Sequence, residues 1–275
     1  MQTPKIEEIV IFGDNLRATK ILKFLKINGF SVTQLTSKTT LMEASKKLSC
    51  KGLVLNSFDL AILAGWSEKI KSDQLNLPKY GFLTCHAGKL PQYRGSSPLN
   101  WAIINGEQTF GITVIKTQKE FDTGAIYASR EFDLLPHYRI KDLHKIANEN
   151  FPFMVLETIL KIQESIPPSP QTTRDVMYYP RRNKADSLID FQEMECTQIM
   201  ALFRAVADMY PHPYFVLNDS EFTVLSVIEV DHSFSGTPGK VYGKKSNQVL
   251  IACKSGAVWL EIDTIRNIEK YGLIK

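Results

Sequence analysis

The first 35 residues carry the feature that most restricts the fold of this chain, a strand followed by a helix and a second strand. Glu8–Gly13 has the apolar composition of a strand, and Leu16–Ile27 repeats its apolar residues at helical spacing. Gly29 ends this helix, and Ser31–Leu35 begins the next strand. Because a helix separates the two strands, we predict that they pair in parallel through a right-handed crossover. The chain should therefore be an α/β protein with a mostly parallel, Rossmann-like sheet.

The turn after the first strand does not predict a dinucleotide site. It holds a single glycine, Gly13, where the dinucleotide fingerprint requires three glycines at fixed spacing. Two interpretations of the next residues, Asp14 and Asn15, remain open. Either one of them caps the helix, or the loop contacts a substrate.

Local patterns predict the other elements of the first part of the chain. Pro152 should kink the last of its helices or break it in two. The predicted helices are Leu41–Leu48, Ser97–Asn105 and Ile140–Ile162, and the predicted strands are Leu53–Leu55, Phe58–Ala64, Tyr80–Leu83, Gly111–Lys116 and Ala125–Phe132.

A proline-rich stretch, Ser165–Pro170, marks the best domain boundary, since three prolines favour extended chain. We predict domains at residues 1–165 and 181–275, joined by a linker at 166–180. Beyond the linker, short alternating strands surround one helix, Glu195–Ala207, which suggests a small barrel. These strands are Leu188–Phe191, Phe215–Leu217, Glu221–Val230, Gly239–Tyr242, Val249–Lys254 and Ala257–Ile262.

Composition excludes several classes of protein. The 275 residues are 44% hydrophobic and 23% charged, as in a water-soluble protein of two domains. No apolar run approaches the roughly 18 residues that a membrane helix needs, and the first residues lack a signal peptide's apolar region. We expect a cytoplasmic protein without a membrane partner.

Four scattered cysteines, Cys50, Cys85, Cys196 and Cys253, form no metal-binding spacing, so we expect reduced thiols and no metal. Cys85 lies next to a histidine, and such a pair can act as nucleophile and base. Neighbouring residues of a strand point to opposite faces, however, so Cys85 should face the core.

The chemistry is expected in the loop Thr84–Gly95, where His86 follows a strand and precedes glycines and a proline. Open α/β sheets place their active sites at such strand ends. Asp122 follows a β-branched run and precedes Thr123 and Gly124. An imidazole and a carboxylate at two loop positions make an acid–base pair if the fold brings them together. A satisfied histidine and an ordinary turn are the structural alternatives.

These residues resemble the signature of the folate-dependent formyltransferases, the family of methionyl-tRNA formyltransferase and the sugar N-formyltransferases. The resemblance covers most of the chain. It is carried by His86, Gly88–Pro91, Tyr93–Gly95, Pro98, Gly111–Val114, Asp122–Gly124, Tyr179–Arg182 and Gly236–Gly239.

The resemblance implies a carboxyl-terminal OB-like domain and 10-formyltetrahydrofolate as co-substrate. It implies that His86 donates to an oxyanion or takes the proton of the attacking amine, while Asp122 orients His86 and passes protons. Trp66, which by itself is as well explained as core, would line the pterin pocket. The other implied folate-binding residues are Glu68, Lys69, Ile70, Gly88, Lys89, Leu90, Pro91, Gln118, Lys119, Glu120 and Phe121.

One catalytic position departs from the family pattern, because Thr84 stands where the family has an asparagine that steadies the oxyanion. A threonine hydroxyl donates one hydrogen bond with a shorter reach, and losing an oxyanion donor costs roughly 10²–10³ in rate. A bridging water, a different substrate geometry or an engineered substitution would each account for the departure.

The acceptor amine is inferred from charge and local sequence. Residues 176–275 hold 11 Lys and Arg against 12 Asp and Glu, a net charge of −1, although the chain carries +4. That balance does not favour binding a polyanion such as tRNA. Leu90–Gly95 and Pro98–Trp101 look closer to the sugar N-formyltransferases.

We therefore expect the acceptor to be a UDP- or dTDP-linked amino-dideoxy sugar for a surface glycan or lipopolysaccharide, with no nucleic-acid partner. Asp14, Asn15 and Arg94 are the candidate substrate contacts, although a structural salt bridge would equally explain Arg94. The alternatives are a methionyl-tRNA formyltransferase and a ligand-binding homologue impaired by Thr84. A homodimer is left open.

Overall fold

The computed structural model describes residues 5–35, 54–266 and 268–274. The chain divides into two compact units. The first comprises Met1–Pro98, Thr109–Asp133 and His144–Pro180, and the second comprises Leu99–Gln108, Leu134–Leu143 and Arg181–Lys275. The predicted helix Leu41–Leu48 and Cys50 lie outside the described residues.

A six-stranded sheet forms the centre of the first unit. Its strands are β1 Glu8–Phe12, β2 Ser31–Leu35, β3 Leu60–Leu63, β4 Phe82–His86, β6 Thr109–Lys116 and β7 Ile126–Asp133, in the order β2-β1-β3-β4-β6-β7. The first four strands pair in parallel, whereas β4 with β6 and β6 with β7 pair antiparallel. The mostly parallel α/β sheet is thus confirmed. The change of direction occurs at β4, which carries Thr84 and His86.

The helix Leu16–Ile27 follows β1 with the predicted bounds, and Asn15 caps it by accepting a 2.9 Å hydrogen bond from the Ala18 backbone N–H. A cap satisfies one of the amide groups that the first helical turn leaves unpaired. The capping interpretation of this loop is therefore confirmed for Asn15. A second helix spans Pro98–Ile104.

Two predictions of local structure in the first part can be compared with the structure. Leu55–Ser57 forms a 3₁₀ turn, so the predicted strand Leu53–Leu55 is wrong at Leu55, while Leu53 lies outside the described residues. Ile140–Gln163 is one helix with Pro152 inside it, so the prediction that Pro152 kinks or breaks this helix is wrong only in its second alternative. Proline removes one backbone hydrogen bond, but buried Phe151, Met154 and Val155 hold the helix against the core on both sides of the missing bond.

The segment predicted as a linker, residues 166–180, is hydrogen-bonded to the first unit. Ser169 pairs with Ile126 through two backbone hydrogen bonds. Further on, β8 Tyr178–Tyr179 pairs in parallel with β5 Arg94–Gly95. In an extended segment the backbone N–H and C=O groups are unpaired. Here those groups hydrogen-bond to the free edges of two strands. The contact-based division accordingly falls after Pro180 rather than at residue 165.

The second unit contains a five-stranded antiparallel sheet in the order β11-β12-β13-β10-β9. Its strands are β9 Tyr214–Leu217, β10 Ser220–Asp231, β11 Val241–Lys245, β12 Gln248–Ala252 and β13 Ala257–Ile262. The predicted strand Leu188–Phe191 is reduced to a single bridge between Leu188 and Tyr214. Helix Cys196–Val206 buries Ile199, Leu202 and Phe203 in the core of this unit. Among the described residues, no helix combines the length and apolarity required for a membrane span.

His144, on the helix Ile140–Gln163, gives the fold a specific pH dependence. Burial, and then the positive charge of Arg17, lower the pKa of His144 from 6.5 to about 4. At pH values between 4 and 6.5, the unfolded chain therefore binds a proton at this histidine and the folded chain does not. The free energy of unfolding consequently falls as the pH drops from 6.5 to 4. Because the side chain is partly exposed, the loss is at most about 3 kcal/mol.

We expect His144→Asn to remove this part of the pH dependence. The measurement is the free energy of unfolding in urea, for wild type and variant, at neutral pH and near pH 5. The difference between the two proteins should shift in favour of the variant at the lower pH. His137→Asn, at an exposed histidine, is the control. Equal pH dependence of His144→Asn and wild type would contradict the assignment.

Candidate functional site

Strand β4 presents alternate residues to two faces of the sheet. Thr84 and His86 are two residues apart and share one face, whereas Cys85 points to the other. Cys85 is buried, and this burial raises its pKa to about 12. The prediction that Cys85 faces the core is confirmed, and its thiol stays protonated near neutral pH. It is therefore not a nucleophile.

The structure brings the two predicted catalytic side chains together. His86 Nδ1 lies 3.3 Å from Asp122 Oδ1, and both side chains are more than nine-tenths buried. The other ring nitrogen, His86 Nε2, lies 2.6 Å from the carbonyl oxygen of Tyr93. Both ring nitrogens thus face oxygen acceptors. A neutral imidazole has one N–H, so one of these two contacts is left to share a further proton when one reaches the pair.

Asp122 is held by backbone geometry and by a second hydrogen bond. Its φ of 56° lies in the left-handed region, which aspartate and asparagine tolerate better than most residues. Its second carboxylate oxygen, Oδ2, accepts a 2.8 Å hydrogen bond from the Gly95 backbone N–H. The carboxylate is therefore fixed between a backbone donor and the imidazole.

A glutamine from the segment 166–180 holds the loop that carries Asp122. The Nε2 group of Gln171 donates to the carbonyl oxygens of Asp122 and Gly124, both at 2.7 Å. Arg94 in turn donates to Gln171 Oε1 from Nε at 3.1 Å and from Nη2 at 2.7 Å. Arg94 was a candidate for binding a substrate anion, or for a salt bridge. In this structure its guanidinium positions Gln171 and also donates to the Tyr178 hydroxyl at 3.1 Å.

A cavity lies beside this pair and gathers most of the predicted folate-binding residues. Its volume is about 50 Å³. Two segments supply most of the wall, one after β3 and one after β6, and Thr84 and Asp122 complete it. The lining residues are Leu63, Trp66, Glu68, Lys69, Ile70, Thr84, Ile115, Thr117, Gln118, Lys119, Glu120, Phe121 and Asp122.

Trp66 has two roles in this wall. Its ring packs edge-on against buried Phe12, with centroids 5.2 Å apart, so it belongs to the core. Its indole Nε1–H is buried and has no hydrogen-bond partner among the described residues. Indole N–H groups normally find an acceptor when buried. The same side chain therefore supplies both packing and an unsatisfied donor at the cavity.

An ion pair joins the two segments of the wall. Lys69 Nζ lies 3.0 Å from Glu120 Oε2, and this hydrogen bond lowers the pKa of the Glu120 carboxyl. The Lys69 ammonium also lies 5.9 Å from the centre of the Phe121 ring. Since all three side chains are exposed, this contact adds little to stability. It ties the segments together at the surface.

The turn Gly88–Pro91 does not line this cavity. Gly88 lies against the imidazole instead, where an added Cβ would stand 2.5 Å from His86 Nε2 and 2.6 Å from the Tyr93 carbonyl oxygen. Lys89 forms a 2.7 Å ion pair with Glu131, and Leu90 and Pro91 are buried. The turn thus shapes the histidine's surroundings. Asp14 is exposed and, like Asn15, is absent from the cavity lining.

Several residues that position the site were not predicted. The hydroxyl of Thr117 lies 2.8 Å from that of Thr84. Gln171 was assigned to a linker, and the Tyr93 carbonyl and Gly95 N–H are backbone groups with no signal in the sequence. Arg17 donates to the carbonyl oxygen of Cys85, between Thr84 and His86, at 3.4 Å. Of these residues, only Arg17 had a cue in the sequence, because it is an arginine within an amphipathic helix.

In the described part of the chain, no three His, Cys, Asp or Glu side chains are grouped so that they could hold a metal ion. Three cysteines, Cys85, Cys196 and Cys253, are free thiols and buried.

Family models match both parts of the chain. Residues 26–158 match the model described as formyl transferase, and residues 182–270 match that of the formyl transferase C-terminal domain. The methionyl-tRNA formyltransferase of Citrifermentans bemidjiense is 30% identical over 203 residues, which make up 73% of this chain and 62% of the relative. That of Malacoplasma penetrans is 28% identical over 201 residues, with the same two shares. The chain spans about 62% of the length of these relatives.

Solved structures share the fold at lower identity. HypX from Aquifex aeolicus, in complex with tetrahydrofolic acid, has a TM-score of 0.70 at 22% identity, covering 93% of this chain and 44% of that one. The N-formyltransferase of Helicobacter canadensis, in complex with folinic acid and dTDP-3-aminofucose, has a TM-score of 0.71 at 16% identity, covering 93% and 99%. With an amino-terminal and a carboxyl-terminal model both matched in order, this chain belongs to the formyl transferase family.

Proposed function

We propose that this chain is an N-formyltransferase that transfers the formyl group of 10-formyltetrahydrofolate to the amine of a UDP- or dTDP-linked amino-dideoxy sugar. The observation that carries the proposal is the buried pair of His86 and Asp122, 3.3 Å apart, beside a cavity whose wall includes Asp122 and Thr84. An acid–base pair and a hydroxyl donor at one cavity are what acyl transfer to an amine requires.

The cavity residues fit a folate in chemical character. Apolar side chains of Leu63, Ile70, Ile115 and Phe121 offer faces to a flat ring, and the unpaired Nε1–H of Trp66 offers a donor to a ring heteroatom. Bound there, the folate supplies the activated formyl group.

The protein's own residues would manage one proton and one developing negative charge. Asp122, at the cavity wall, would receive the proton that the attacking amine loses, and His86 Nδ1 would share it across 3.3 Å. The pair would return this proton to the folate nitrogen as the bond between that nitrogen and the formyl carbon breaks. For His86 itself to donate into the cavity, its Nε2 must first leave the Tyr93 carbonyl. Thr84 is a side-chain donor at the wall, next to Asp122, that could serve the oxyanion.

The sugar acceptor is favoured by a solved neighbour and by charge. This chain covers 99% of the Helicobacter canadensis N-formyltransferase, whose complex contains dTDP-3-aminofucose. Residues 176–275 carry a net charge of −1. A protein that binds tRNA needs basic surface to neutralise phosphates. The nearly neutral carboxyl-terminal part, residues 176–275, therefore suits a small nucleotide-linked acceptor better than a tRNA.

Methionyl-tRNA formyltransferase is the second candidate, because curated relatives with that name are up to 30% identical to this chain. It uses the same formyl chemistry with a different amine. The two candidates differ in salt dependence, since binding of tRNA would weaken steeply as the salt concentration rises.

The test is a mass-spectrometric assay of the purified chain with 10-formyltetrahydrofolate. The acceptor panel contains UDP- and dTDP-linked 4-amino and 3-amino sugars, and charged initiator tRNA. We expect a sugar nucleotide to gain one formyl group. A formylated tRNA product would make the second candidate correct. Folate binding without any formylated acceptor would instead support a ligand-binding homologue.

A further inference from the structure

We infer that Thr117 is a positioning residue that holds the hydroxyl of Thr84 as a hydrogen-bond donor to the formyl oxygen. The inference rests on the proposed function and names the group that compensates for the missing asparagine. Thr117 does not contact the formyl group in this arrangement; it acts through Thr84.

Strand register places the two hydroxyls together. Thr84 on β4 lies opposite Ile115 on β6 in the antiparallel ladder. Thr117 comes two residues after Ile115, so it points to the same face of the sheet. The Oγ1 atoms of Thr84 and Thr117 are 2.8 Å apart, and both residues line the cavity with Asp122. The pair is thus part of the cavity wall.

The backbone around Thr117 is fixed. Its N–H donates to the Phe82 carbonyl oxygen at 2.8 Å, one strand residue beyond the end of the ladder. Threonine is branched at Cβ and therefore stiff at χ1. A rigid backbone and a stiff side chain keep the Thr117 hydroxyl at one place. It can therefore hold a partner without a large entropic cost.

The number of hydroxyl protons on Thr84 and Thr117 limits what this pair can donate. Two hydroxyls carry two protons, and one of them is used in the hydrogen bond between Thr84 and Thr117. When Thr117 donates that bond, the Thr84 proton remains available, and Thr84 becomes a better donor because it is also an acceptor. The pair has no other hydrogen-bonded side chain in the described structure, so the remaining proton is not committed elsewhere.

The test compares Thr117→Val, which keeps the shape of the side chain and removes the hydroxyl, with Thr117→Ser, which keeps the hydroxyl. We expect Thr117→Val to lower kcat about tenfold, with an unchanged KM for the folate, and Thr117→Ser to stay within about twofold of wild type. Thr33→Val, at another partly buried threonine of the same sheet, is the matched control.

A double variant separates positioning from packing. Asparagine at position 84 brings its own N–H donors and no longer needs a partner. We therefore expect Thr84→Asn combined with Thr117→Val to be as active as Thr84→Asn alone. A tenfold loss that persists in the Thr84→Asn background, or that Thr117→Ser shares, would mean that Thr117 acts by packing, and would overturn the inference.

Vibrational spectroscopy gives a readout that does not depend on turnover. The probe is 10-formyl-5,8-dideazafolate with ¹³C at the formyl carbon, bound to the protein without an acceptor. Hydrogen bonding lowers the carbonyl stretching frequency, so we expect a higher frequency in Thr117→Val than in wild type or Thr117→Ser. If neither the band nor kcat changes in Thr117→Val, the inferred role of Thr117 is overturned and the proposed function is not affected. Failure of wild type to bind the probe and to formylate any acceptor would overturn the proposed function as well.

Discussion

Replacing His86 with alanine is expected to lower kcat for formyl transfer by about 10²–10⁴, the range typical of a lost acid–base group. The imidazole joins Asp122, 3.3 Å away, to the Tyr93 carbonyl, 2.6 Å away, and its loss leaves the carboxylate without the group that shares its proton. The KM values of both substrates should change little, because His86 is not part of the cavity wall.

The measurement is kcat and KM for the acceptor identified by mass spectrometry, together with the melting temperature. Because His86 is buried, alanine also leaves a cavity that costs stability. His86→Asn is therefore made in parallel, since its amide nitrogen can replace Nδ1 in the contact with Asp122 while removing the titratable ring. His137→Ala, at an exposed histidine, is the control. Less than a threefold effect in a folded His86→Asn protein would exclude the assigned role.

Replacing Asp122 with asparagine should produce a loss of similar size, about 10²–10⁴ in kcat, although the two side chains have the same shape. Asparagine can still accept the Gly95 N–H and tolerates the φ of 56°, so the loop should keep its conformation. Its neutral amide cannot receive a proton from the amine. The loss of kcat in Asp122→Asn therefore reports on the charge of the carboxylate separately from its structural role. An alanine at this φ would not separate the two, because it would also disturb the loop.

A matched control exists elsewhere in the chain. Asp175 has the same φ of 56° and is exposed, so Asp175→Asn repeats the chemical change in the same backbone conformation outside the cavity. We expect wild-type kcat and melting temperature for that variant. Folate binding, followed by quenching of tryptophan fluorescence, should survive in Asp122→Asn. Wild-type kcat for Asp122→Asn would refute the role of the carboxylate in proton transfer.

Local pattern was enough for the secondary structure of several elements that bury one face. Leu16–Ile27 and Ser31–Leu35 have the predicted bounds, because helical and strand periodicities are written in neighbouring residues. The pattern was insufficient where burial overrides propensity. Pro152 lies inside a continuous helix because apolar residues on both sides of it are packed in the core.

The candidate site, too, was predicted from the sequence only in part. The resemblance selected His86, Asp122 and the two segments that form the cavity wall, and the structure places them within one unit. The turn Gly88–Pro91 and Arg94 were candidates for ligand contacts, and in the structure Gly88 also lies against the imidazole and Arg94 also donates to Gln171. A residue type that suits a ligand also suits a protein partner, and only the fold decides between the two.

By itself, the sequence determined the α/β class, the strand-rich second part, the candidate pair of His86 and Asp122, and the unusual threonine at position 84. These depend on residue identity and on spacing along the chain, which the sequence contains directly. The tertiary structure alone decided that Gln171 holds the Asp122 loop and that Thr117 meets Thr84 at 2.8 Å. Such contacts join residues 33 to 49 positions apart. They arise from strand register and from backbone groups present in every residue, which leave no mark in the sequence.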